Sequence, residues 1–129
     1  MILEWDMDDY AHAGKRLHRD ADYLYDQQRY ATASHLYGLS AECSIKAFIT
    51  QQPGQQKVPY KHIPELVDDA KRLVNGRRGS HLLNVISSPD FMSGWQIGNR
   101  YWDNRYFSQQ QCKEFKHSAN RALRCLGVV

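Results

Sequence analysis

The sequence predicts an all-α fold, an antiparallel up-and-down bundle of four to five helices. Three observations predict it. Apolar residues recur at helical spacing, no stretch alternates apolar and polar residues as a half-buried strand would, and breaker residues cluster in a few places. With 129 residues the chain has the length of one domain, 1–129. A domain of that size buries roughly 68% of the surface its unfolded chain exposes, so one ordinary core suffices.

Asp6 or Asp8 is placed to cap a first helix running to about Gln28. Its apolar stripe is Tyr10, Ala13, Leu17, Ala21 and Leu24, with His12, Lys15, Arg16 and Arg19 off the stripe and in solvent. The second helix is RYATASHLYGLSAECSIKAFI, Arg29 to Ile49, ending near Gln52 where Pro53-Gly54 breaks it. It has no proline and is apolar nearly all round. The polar loop QQPGQQKVPYK follows. Pro64 suits the first position of a third helix, whose face is Ile63, Leu66, Val67, Ala70, Leu73 and Val74 and which Asn75-Gly76 ends. A fourth, shorter helix covers about Ser80 to Ser87. The segment SSPDFMSGWQIGNRYWDNRYF, rich in rings and breakers, reads as a long loop with a helical turn. Ser108 opens the last helix, and Gln111 three residues on completes a capping-box pattern. Cys112, Phe115, Ala119, Ala122 and Leu126 form its stripe.

Charged residues make up 24% of the chain and apolar ones 42%, a globular balance rather than a disordered one. No apolar run approaches the ~20 residues of a membrane span, and MILEWDMDD lacks the basic-then-apolar layout of a secretion signal. A soluble cytoplasmic protein without a membrane partner is expected. Cys43, Cys112 and Cys125 fall within helical patterns at no metal-site spacing, which suits buried reduced thiols. Residues 1–56 carry five basic and eight acidic residues, a net −3, whereas 57–129 carry twelve and six, a net +6. The basic half is compatible with a phosphate-bearing ligand.

His35, Gly38, Glu42 and Lys46 share one line of the second helix, with His35 and Glu42 about 20° apart in register. A carboxylate among apolar neighbours needs a partner, or burial would neutralise it. Lys46 stands at the favoured i,i+4 position, and Arg100 or Arg105 of the late loop is the expected buried partner. A mid-helix glycine costs up to about 1 kcal/mol relative to alanine, so Gly38 signals a close approach by another group. The line serves either as a structural tie or as a cleft or dimer seam in which Glu42 and His35 face a ligand. No third ligand stands at metal-site spacing. In the late loop Arg100, Tyr101, Trp102, Arg105 and Tyr106 interleave cations and rings; guanidinium can fork onto phosphate, and ring faces can stack a base. The alternative is that Trp95, Trp102 and Phe107 plug the open end of the bundle while an arginine pairs with Glu42.

The stretch AxxLxGLSAECxIKAFI, with Ala33, Leu36, Gly38, Ala41, Glu42, Lys46 and Ala47, resembles the central helix of the HEPN superfamily. KHIPELVDDA is similar to the His-led helix that follows it there, with His62 and Leu66 in the matching places, and NRYWDNRYF to the late Arg-Tyr element of its nucleotide-binding branch. The resemblance covers roughly Asp8 to Leu126. It implies a helical bundle, often dimeric, of a kind found among partners of small nucleotidyltransferases, toxin ribonucleases of toxin–antitoxin pairs, and domains that bind nucleotides or RNA. The ribonuclease branch carries a late Arg followed after four to six residues by His; neither Arg100 nor Arg105 has that His. Arg29 and His35 do have the spacing, at the start of the second helix.

The reading is a non-catalytic domain that binds a nucleotide, RNA or a nucleotidyltransferase partner through Glu42, Lys46, Arg100, Tyr101, Arg105 and Tyr106, as a homodimer, with no cofactor and no metal. The rivals are a metal-independent ribonuclease, using Arg29 and His35 or Arg105, and a plain helical interaction module.

Overall fold

A computed structural model describes residues 9–52, 54, 57–74 and 76–127. Among these described residues there are five α-helices, two short 3₁₀ turns and no strand. α1 spans Tyr10–Asp26. Its cap is Asp9, whose carboxylate accepts from the backbone N–H of His12 at 3.0 Å; Asp6 and Asp8 lie outside the described residues. Gln28, at φ +62°, turns the chain between α1 and α2. α2 spans Tyr30–Thr50, and its buried residues include Ala33, Tyr37, Ala41, Ile45, Phe48 and Ile49. They face several directions because α1, α3, α5 and the first 3₁₀ turn all pack on this one helix. That is why its sequence shows no clean polar face.

Side-chain contacts give the helix directions. Ser40 Oγ donates to the Gly14 carbonyl at 2.7 Å, Tyr37 Oη donates to Asp22 at 2.6 Å, and the rings of Tyr25 and Tyr30 meet edge-on. Rising numbers on α1 meet falling numbers on α2, so the two are antiparallel. α5, Gln109–Arg124, is antiparallel to α1 by the same test, with His18 bonded to Asn120 and Asp22 facing Lys116. α2 and α5 therefore run in the same direction, and the intervening chain makes the return. Asp22 is the hub of this junction, since Tyr37, His18 and Lys116 all converge on it.

α3 covers Glu65–Leu73, with Pro64 at its cap rather than inside it, and buries Leu66 and Ala70. α4 covers Gly76–Ile86, beginning four residues before the expected Ser80. Gly79 is buried there, and a Cβ on it would stand 2.7 Å from Val74 Cγ1. The early turn of α4 is thus fitted to the end of α3 by a missing side chain, which leaves no apolar period to read. Past α4 the loop makes 3₁₀ turns at Ile97–Tyr101 and Asn104–Tyr106. Ser108 Oγ then accepts from the Gln111 N–H at 3.0 Å and starts α5. Cys112, Phe115, Ala119 and Ala122 of the expected stripe are buried.

All three cysteines are free thiols. Burial pushes the Cys43 thiol up to about 11 and shifts Cys112 and Cys125 in the same direction. Among the described residues no helix is long and apolar enough to cross a membrane.

Candidate functional site

The polar line of α2 is divided among separate neighbours. Trp95 covers Gly38 so closely that a Cβ there would overlap the indole atoms Cε2, Nε1 and Cζ2. The close approach implied by a mid-helix glycine is therefore made by a ring. Trp95 is 2% exposed and its indole N–H donates to the Ser34 carbonyl at 3.0 Å. His35 stacks beside it, ring centroids 6.2 Å apart and planes 15° from parallel. Burial lowers the His35 pKa, and the nearby Arg100 guanidinium and His62 imidazole lower it further. Its Nδ1 is buried without a hydrogen-bond partner among the described residues.

Glu42 is buried as expected, but its partner is neither Arg100 nor Arg105. Its carboxylate accepts from His62 Nδ1 at 3.0–3.1 Å and from the backbone N–H of Ile63 at 2.9 Å. The chain just before α3 supplies Glu42 with two donors, while the two arginines stay in solvent, where a guanidinium keeps its hydration. Nor does Glu42 pair with Lys46, whose Nζ sits 5.9 Å from the ring centroid of Tyr10. His62 was visible in the sequence only as part of a family-like motif; no local signal tied it to Glu42, twenty residues earlier.

The late segment behaves differently. Arg100 lies over the ring of Tyr101, with Cζ 4.5 Å from the centroid, and donates to the Ile97 carbonyl at 2.8 Å. Arg105 repeats the arrangement over Tyr106 at 5.2 Å. The Asp103 carboxylate between them accepts the Arg105 backbone N–H at 3.0 Å and caps the second turn. Neither guanidinium forms an ion pair among the described residues. Tyr101, Trp102 and Tyr106 are 78%, 49% and 57% exposed, so they are not part of the core. Of the three side chains expected to plug the bundle end, only Trp95 is fully buried. Trp102 instead joins Tyr106 and Phe107 in a surface cluster with centroids 6.3 and 6.2 Å from its own.

Phe107 links this cluster to a cleft of about 330 Å³ between the start of α2 and the second 3₁₀ turn, lined by Arg29, Thr32 and Asn104 among others. Arg29 opens onto this cleft; His35, six residues on and about 120° around the helix, stacks on Trp95 instead. The cleft residues Thr32, Asn104 and Phe107 were not foreseen as a group, because they meet only through the fold. No group of three or more metal-binding side chains occurs among the described residues. No protein-family model, curated protein or solved structure matches the chain.

Proposed function

We propose that the chain is a helical module that binds a phosphate-bearing ligand with an aromatic base, a nucleotide or RNA, on the segment 97–107, and does not hydrolyse it. The observation that carries this reading is the pair of Arg–Tyr units on consecutive 3₁₀ turns, both outside the core and neither cation ion-paired among the described residues. A guanidinium over a ring face presents a charged fork and a stacking surface together. The +6 balance of residues 57–129 and the resemblance to the HEPN superfamily support the same reading. Glu42, placed among the ligand contacts by the sequence, serves here to hold the loop before α3. Lys46 keeps its place over Tyr10.

The test is titration of mononucleotides and short RNA against wild type and Arg105→Ala. Losing one hydrogen-bonding arginine should weaken binding by about 1–3 kcal/mol, and raised salt should weaken it further. Binding insensitive to both refutes the site. A partner nucleotidyltransferase or a homodimer using the same exposed rings would show as a shifted sedimentation coefficient, and as loss of ligand binding on assembly.

One observation favours a second, hydrolytic reading. A buried carboxylate orients half-exposed His62 through Nδ1, which leaves Nε2 as a free acceptor, the arrangement of a general base. RNA cleaved in chelator, with the activity lost in His62→Ala or His35→Ala, would replace the non-catalytic reading with this one.

A further inference from the structure

We propose that the site takes a single-stranded oligonucleotide of at least three nucleotides, running from Arg100–Tyr101 across Trp102 and Tyr106 into the cleft headed by Arg29; this rests on the binding reading above and names its ligand class. The three guanidinium groups this strand would use belong to three different pieces of backbone, the two 3₁₀ turns and the start of α2. Each has a ring beside it: Tyr101 for Arg100, Tyr106 for Arg105, and Phe107 in the cleft with Arg29. Trp102 touches both Tyr106 and Phe107, so the aromatic surface is continuous from the second turn into the cleft. One nucleotide has one base and one phosphate end and can occupy only one of these units. A strand can occupy all three. A duplex cannot use them, because its base faces are already stacked on one another and closed to protein rings. The cleft, with Asn104 and Thr32 as hydrogen-bonding groups, has room at about 330 Å³ for one end of the strand.

The experiment measures binding of oligouridylates of one to six nucleotides, by quenching of tryptophan fluorescence, across a salt series. Affinity should climb by roughly tenfold for each added stacked base and then level off once the cleft is filled. The slope of log affinity against log salt should approach −2 for three phosphate contacts, at about −0.7 per contact for single strands. Arg29→Ala, an exposed position, should reduce that slope by about 0.7 and remove the gain from the last nucleotides, while Arg29→Lys should retain the slope. Oligothymidylates run alongside identify the sugar: a strand of either type supports the proposal, and a duplex bound as tightly as a strand overturns it. If uridine monophosphate binds as tightly as the hexamer and Arg105→Ala weakens both, the binding site stands and the strand inference falls. An Arg29→Ala protein indistinguishable from wild type in slope and length dependence also overturns it. If neither monomer nor oligomer binds, both readings fall together.

Discussion

Gly38→Ala sets two physical effects against each other, and the structure decides the sign. Helix propensity alone predicts a gain of up to about 1 kcal/mol, since Gly38 lies in the middle of a 21-residue helix. The added methyl, however, would stand well inside 3.0 Å of three indole atoms of Trp95, a separation that Cβ atoms essentially never show. Trp95 cannot simply move aside. It is 2% exposed and its N–H is committed to the Ser34 carbonyl. Overpacking of this kind costs about 1–3 kcal/mol, and breaking the indole hydrogen bond in a buried site adds about 1–3 kcal/mol. With the propensity gain subtracted, the net loss is about 1–5 kcal/mol, which lowers the melting temperature by roughly 4–18 °C for a domain of this size. Thermal and urea melts followed by circular dichroism measure it. A Gly38→Ala protein that melts at or above wild type refutes the reasoning. The double variant with Trp95→Phe supplies the control, because removing the overlapping part of the indole should reduce the penalty of the alanine and expose a coupling between the two positions.

Three further perturbations probe the polar groups. Glu42→Ala removes an acceptor that both His62 and the Ile63 N–H use, and should cost about 2–3 kcal/mol in a urea melt; since the His62 ring is half exposed, the larger share falls on the Ile63 N–H. Tyr37→Phe removes the 2.6 Å hydrogen bond to Asp22 from a fully buried ring and should cost about 1.5–3 kcal/mol, the range for a bond to a charged acceptor; burial and Asp22 also push the Tyr37 hydroxyl well up, so its ultraviolet absorbance should stay that of the phenol until the protein unfolds in alkali. The depressed pKa of His35 makes the unfolded chain the better proton binder. Its contribution to stability is intact above the ordinary value of 6.5 and is lost as the pH falls below it. Stability measured from pH 7.5 downward should therefore drop less steeply in His35→Phe, which keeps a ring against Trp95; an identical slope refutes the assignment.

Much of this arrangement was readable from local pattern, and the failures share one cause. The Ser108 cap, the buried stripe of α5 and the meaning of Gly38 all follow from spacing within one helix. The identity of what covers Gly38 does not, because Trp95 lies 57 positions away. Glu42 shows the same limit more sharply. Burial demanded a partner, and charge alone nominated an arginine, but a carboxylate is also satisfied by a histidine and a backbone N–H when the chain brings them there. The start of α4 escaped notice because its first turn is written in arginines and glycines, with Gly79 chosen for fit against Val74 rather than for helix formation. The cleft beside Arg29 joins residues from two segments more than seventy positions apart, so nothing short of the fold assembles it.

The placement of the tryptophans bears on the proposed site. Trp95 is locked onto α2 by its fit to Gly38 and by its N–H bond, and the first 3₁₀ turn begins two residues later. Ser108, at the other end of the segment, is fixed as the cap of α5. The residues 97–107 are thus tied down at both ends by buried or capped positions, and within the segment Asn99 is buried and donates to the Gly94 carbonyl at 3.0 Å. A loop held in this way could have turned Tyr101, Trp102 and Tyr106 inward, and it turns them out. Hydrophobic burial offers no reason for that outcome, since apolar surface is stabilised by leaving water. A ligand that stacks on those rings offers one. On the binding reading proposed above, the ordering of the backbone would be complete before a ligand arrives, which lowers the entropic cost of binding.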